Sequence, residues 1–185
     1  MILTKQQFLK NKGGYIKKIK QGSIFIYPTD TIYGIGCIST NKSSIERIKQ
    51  LKQRANKPFS IIVPSKNWIL KNCKSNKNLK MYLKKIPGKY TLILELKSKK
   101  FSPNKGISTI GVRIPKNWFS KVVKEINIPI ITTSVNISNE PYMTSLKNLN
   151  KEIMSKADFI IYQGYLNNRP SKIINLIINQ VIKRK

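Results

Sequence analysis

Short β-branched and aromatic runs alternate along this chain with segments whose apolar residues recur at helical spacing. Thr4 and Gln7 form a capping box that opens a helix through Phe8 and Leu9, with a continuation across Gly13 and Gly14 to a stop at Gly22. Residues 23–27 read as a buried strand ended by Pro28, because proline cannot donate to a ladder, and the chain then turns from Thr29 to Gly36. Ser43 and Glu46 form a second capping box ahead of Ile45, Ile48 and Leu51, which share one helical face and place Lys52 and Arg54 at that helix's C-terminal end. Strands are predicted over residues 59–63, 90–96, 108–114, 128–133 and 159–162, and one or two edge strands within 173–182. Helices are predicted around Trp68 and over 79–85, 118–125 and 146–156.

Strands alternating with helices define an α/β layer structure. Several connections are too short for right-handed crossovers, so a mixed parallel and antiparallel sheet is expected. The 185 residues contain neither an internal repeat nor a dividing linker, and residues 1–185 are expected to form a single domain with a core of its own. Cys37 and Cys73 form no C-x-x-C pair and the N-terminus has no apolar signal core, which fits a reducing cytoplasm. No apolar run approaches the roughly 20 residues that span a bilayer.

Charge changes the picture most: 36 Lys and Arg stand against 7 Asp and Glu, a formal net charge of +29. Such a field attracts polyanions and steers anionic ligands. Two explanations stay open for the surface lysines: an RNA-binding role, or the drift of an AT-rich coding sequence, which also yields abundant Ile and Asn. Drift does not explain the placement of Arg54 and Arg113. Histidine is absent, which eliminates Ser-His-Asp and Cys-His nucleophiles, histidine bases and histidine-ligated zinc. The remaining chemistry depends on positioning and positive charge.

Gly34-x-Gly36 lacks the third glycine of a dinucleotide fingerprint, since Ser39 occupies its place, and Gly106 with Gly111 has Walker spacing but Val112 stands where the lysine must be. Thr29 and Thr31, on a turn set by Pro28, either bond their own backbone or face a cavity. Lys52, Arg54 and Lys57 are either a solvated cationic face or a phosphate site, in which arginine's planar fork binds bidentately. Ser134 and Asn136 follow an apolar run at the edge where α/β sheets bind ligands, and they read equally as turn or cap residues. Thr109 and Arg113, four apart in one strand, project to the same face, and a buried arginine there needs an anion or dense acceptors.

In order along the chain, Tyr27-Pro28-Thr29-Asp30-Thr31-Ile32-Tyr33-Gly34, Lys52-x-Arg54, Pro87-Gly88, Val112-Arg113-Ile114-Pro115 and Ser134-x-Asn136 resemble the YrdC/TsaC family of threonylcarbamoyl-AMP synthases. The resemblance implies a twisted open sheet with helices around a basic central cavity. It also implies the synthesis of threonylcarbamoyl-AMP from L-threonine, bicarbonate or CO2, and ATP carried with Mg2+. By the same resemblance Arg54, Lys57, Thr109, Ser134, Tyr142 and Arg184 bind ATP, with Lys52 adding charge and Asn136 ordering its loop. Thr31, Arg113, Thr132 and Ser171 bind threonine, and no residue binds metal directly. The implied partners are a threonylcarbamoyl transferase complex and tRNA or another RNA. A non-catalytic basic RNA-binding module is the competing reading. The chain departs from the family pattern at Ile62, where a histidine is usual, and at Lys89, Lys172 and Asn175.

Overall fold

A computed structural model of the protein describes residues 1–53, 57–98, 102–104 and 106–182, so Arg54 and Arg184 lie outside the described residues. The first half of the chain runs β1 (Ile2–Leu3), α1 (Lys5–Lys10), α2 (Lys12–Lys20), β2 (Phe25–Tyr27), β3 (Gly34–Gly36), α3 (Lys42–Leu51), β4 (Ser60–Ile62), α4 (Lys66–Asn72), α5 (Leu79–Lys84) and β5 (Tyr90–Glu95). The second half runs β6 (Thr109–Arg113), α6 (Phe119–Ile126), β7 (Ile130–Ser134), α7 (Lys151–Lys156), β8 (Phe159–Ile161), β9 (Lys172–Asn175) and β10 (Gln180–Ile182). The strands form one sheet in the order β1-β8-β2-β3-β7-β4-β6-β5-β9-β10. Parallel pairs (β1/β8, β2/β8, β4/β6, β5/β9) mix with antiparallel ones, the mixed α/β sheet that the short connections require.

Strand alternation sorts the apolar residues into two cores. Ile24, Ile26, Ile35, Ile61, Ile131, Leu92, Leu94, Ile110 and Val112 face one side, under Ile45 and Ile48 of α3, Ile69 of α4, Leu79 of α5 and Ile153 of α7. Phe25, Tyr27, Ile62, Ile130 and Phe159 face the other, under Phe8 of α1, Ile19 of α2 and Phe119, Val122 and Val123 of α6. Aromatic rings dominate this second core. Phe25 stacks on Phe159 at 5.1 Å and Tyr27 on Phe119 at 4.5 Å between ring centroids, and each adds roughly 0.5–1.5 kcal/mol beyond its burial. The second core covers the sheet from β1 to β7 and reaches β4 only at Ile62. Beyond it, Ser60, Thr91, Ile93, Thr109 and Gly111 share that same face and are only partly buried, Thr91 excepted.

Several sequence expectations need correction. Gly34–Gly36 is a strand, not part of the turn, because Phe25 pairs with Gly36 and Tyr27 with Gly34 in a β2–β3 hairpin. A Cβ on Gly36 would lie 1.9 Å from the Ile131 carbonyl oxygen, so this glycine serves close strand approach rather than a phosphate turn. The first helix is two, broken at Asn11, which caps α1 and starts α2. The Thr4–Gln7 box is present. The cap of α3 is Asn41, whose side chain accepts from the Ser44 amide, not Ser43. Residues 146–156 are a 3-10 turn (Leu146–Asn148) followed by α7, because Ser145 and Asn150 each cap a start of their own. Strand β1 was not expected from the sequence, and its two residues reach strand geometry only by pairing with β8. The C-terminal β-branched stretch supplies two strands, of which only β10 is an edge, because β9 is paired on both sides.

Candidate active site

Lys52 joins the two halves of the chain. It is the C-cap of α3, and Gln53 follows in the left-handed region at φ 48°, which ends the helix. The Lys52 side chain is 1% exposed. Its Nζ donates to the Ser134 carbonyl at 2.7 Å, the Asn136 carbonyl at 2.7 Å and Asn136 Oδ1 at 3.0 Å. An ammonium has three protons, and here each has an acceptor within the chain. The Lys52 carbonyl in turn accepts from the Ser138 amide at 3.1 Å and from Ser138 Oγ at 2.7 Å. Asn136 Oδ1 also accepts from Ser134 Oγ at 2.7 Å, while its Nδ2 donates to the Glu140 carbonyl at 2.6 Å and fixes the loop that follows. Lys57 lies exposed on the segment leading to β4.

Next to this junction a narrow pocket opens on the uncovered half of the sheet face. Its wall includes Thr29, Ser60, Thr91, Arg113, Thr132, Ser134 and Ser171. Thr91 and Ser171 are linked hydroxyl to hydroxyl at 2.7 Å, which ties β5 to the segment before β9. Gly111 is a strand residue on the same face. A Cβ there would meet Ser60 Oγ at 2.4 Å and Thr91 Cγ2 at 3.2 Å, so its missing side chain keeps the floor open.

Arg113 is the cation of this wall. Its side chain is 7% exposed and forms an ion pair through Nη2 with Asp30 Oδ1, itself 8% exposed. Nη2 also donates to Thr31 Oγ1 at 2.8 Å. Nε is buried with no acceptor. Burial pushes the Arg113 pKa down and Asp30 opposes this. Thr29 forms the ST-turn: its Oγ1 accepts from the Thr31 amide at 3.1 Å and donates to the Ile32 carbonyl at 2.7 Å. Thr31 is fully buried, beside Arg113 rather than on the pocket wall. Tyr33 OH donates to the Gly164 carbonyl at 2.7 Å and accepts from the Gln163 amide, and burial pushes its pKa up to about 12, so it stays a phenol near neutrality.

Of the residues singled out in the sequence, Arg113, Thr132, Ser134 and Ser171 line the pocket, with Lys52 and Asn136 locked to Ser134. Thr109 lies farther along β6 opposite Glu95, and Tyr142 OH reaches the Asn168 carbonyl at 3.3 Å. Sequence reasoning missed Asp30, Ser60 and Thr91. A signal existed for Thr91, a polar residue in phase with Ile93 and opposite in phase to Leu92 and Leu94. A signal existed for Asp30 too, the carboxylate between the two threonines. No group of three His, Cys, Asp or Glu side chains among the described residues forms a metal site. A larger concavity of about 890 Å³ lies against α3 and Trp68 of α4, and none of these site residues lines it.

Residues 17–185 match the Sua5/YciO/YrdC family, described as "Telomere recombination". A putative threonylcarbamoyl-AMP synthase of Methanocaldococcus jannaschii is 36% identical over 171 residues, covering 90% of this chain and 80% of that protein. A threonylcarbamoyl-AMP synthase of Buchnera aphidicola subsp. Schizaphis graminum is 31% identical over 196 residues, covering 98% and 99%. The crystal structure of Escherichia coli YciO shares the fold, with a TM-score of 0.84 at 21% identity over 100% of this chain and 94% of that one. Among the described residues no helix is long and apolar enough to cross a membrane. With the family pattern running through nearly the entire sequence and a relative above 30% identity along nine-tenths of it, the chain belongs to the Sua5/YciO/YrdC family.

Proposed function

We propose that this protein is a nucleotidyltransferase that makes L-threonylcarbamoyl-AMP from L-threonine, bicarbonate or CO2, and ATP, releasing pyrophosphate. The observation that carries the proposal is a hydroxyl-lined pocket containing a buried guanidinium whose Nε lacks an acceptor. A ligand carboxylate in the pocket would pair with this guanidinium where it lines the wall, a charge-assisted contact. In this reading Thr132 and Ser171, which line the pocket, would bond the amino acid's polar groups. Ser134, fixed through Asn136 to Lys52, supports the reading of the adjoining edge as the place of the triphosphate.

In this reading the threonine nitrogen adds to the carbon of CO2 and loses a proton, giving a carbamate. A carbamate oxygen then forms a bond to the α-phosphorus as the bond to the pyrophosphate oxygen breaks. Both reactants are anions, so in-line approach needs screening. Lys52, held 2.7 Å from two carbonyls, contributes a fixed positive field there rather than a mobile contact. Arg54, Lys57 and Arg184 would bind phosphates. Mg2+ would enter on the ATP, held by phosphate oxygens and water. The adenylate would then pass to a threonylcarbamoyl transferase complex that modifies tRNA.

The net charge of +29 favours a second reading, an RNA-binding module. One assay separates the two. Purified protein with ATP and Mg2+ is expected to release pyrophosphate only when threonine and bicarbonate are both present, and Ser134→Ala is expected to lower the rate about tenfold or more. RNA binding with a steep salt dependence, and no stimulation by either substrate, would favour the module.

A further inference from the structure

We infer that Asp30 is a positioning residue, whose carboxylate fixes the Arg113 guanidinium in the pocket wall, where the amino acid's carboxylate would bind. The inference rests on reading the pocket as the L-threonine site. Asp30 is not part of the pocket wall, so it acts through Arg113 and not on substrate. It is itself immobilised: Oδ1 takes Arg113 Nη2, and Oδ2 accepts from the Lys116 amide at 2.9 Å, in the segment just past β6. Thr31 Oγ1 accepts from Nη2 as well, and it is backed by Thr29 Oγ1 at 3.0 Å.

These two acceptors use both protons of Nη2, and this fixes the guanidinium plane against rotation about its last bonds. What remains for a ligand is the part of the guanidinium that lines the pocket, since Nε itself is sealed from it. The pair between the β2–β3 turn and the end of β6 places both chain acceptors on one nitrogen, Nη2. A ligand carboxylate therefore meets a donor already oriented, with little ordering cost on binding.

The test uses the full chain and four variants: Asp30→Asn, Asp30→Glu, Arg113→Lys and the Asp30→Asn/Arg113→Lys pair. Asp30→Asn is expected to raise the threonine KM about tenfold while the ATP KM stays within about twofold. Asp30→Glu should recover most of the loss, and adding Asp30→Asn to Arg113→Lys should cost little more, because both act on one contact. Equal rises in both KM values, an unchanged threonine KM, or full additivity would overturn the inference. A second readout does not depend on the reaction. The Arg113 Nε–H resonance should exchange with solvent about tenfold faster in Asp30→Asn or, if that variant does not fold, in Asp30→Ser, and stay near the wild-type rate in Asp30→Glu, which keeps the carboxylate. Wild-type protein with no response to threonine would end the substrate reading, and the exchange rate would then decide the positioning role alone.

Discussion

Two glycines on the same sheet face divide the molecule. Gly36 lies in the half covered by α1, α2 and α6, and a Cβ there would strike backbone, 1.9 Å from the Ile131 carbonyl oxygen. Gly111 lies in the uncovered half, and a Cβ there would strike side chains, Ser60 Oγ and Thr91 Cγ2. In the covered half the strands present Phe25, Tyr27 and Phe159, residues that stabilise by area and stacking. The open half presents serine, threonine and glycine around one arginine. A sheet stabilised on one face throughout, and on the other over half its width, has strands left free to carry a ligand.

Substitutions can break this contrast, and the largest effect is expected in the covered half. Gly36→Ala requires the β3–β7 backbones to separate, and it should destabilise by about 4 kcal/mol or more, read by urea unfolding. Lys52→Met keeps the length but removes the donor for three oxygens, two of them main-chain. It should cost roughly 2–3 kcal/mol of stability and lower pyrophosphate release along with it. A Lys52→Met protein of unchanged stability would show that the junction between the two halves is not structural.

The smallest effect concerns the cysteines of the fully covered face. Burial pushes the Cys37 thiol up to about 12 and the Cys73 thiol up to about 11, from 9.0. Thiols that ionise more readily when unfolded add stability below pH 9 that is lost as pH rises toward 12. At pH 8 native protein should therefore react with a thiol reagent about a hundredfold more slowly than unfolded protein. Equal rates would place these residues outside the core.

The alternation of apolar residues made the strands legible, and most of the helices as well. β5 and β6 could be read because Leu92, Leu94, Ile110 and Val112 keep one phase. β1 and β3 could not: Ile2-Leu3 is too short to show a period, and Gly34-Ile35-Gly36 carries turn residues. Their strand geometry comes from neighbours distant in sequence, Ile160 and Ser134 among them. At the site, motif residues showed which groups matter but not which of them touch. Arg113 was legible as a buried cation that needs an anion, yet the pairing of that cation with Asp30 was visible only once the β2–β3 turn lay against the end of β6. Lys52 looked like one of three surface cations, and its burial follows from acceptors 82 and 84 residues away.

The central claim is that the uncovered half of the sheet face is where ligand binds, and Gly111→Val addresses it most directly. Calorimetric titration of L-threonine, with ATP and Mg2+ present, should show saturable binding to the wild type. Gly111→Val should weaken it about a hundredfold while the unfolding transition stays cooperative. Unchanged threonine affinity in a folded Gly111→Val protein would contradict the account.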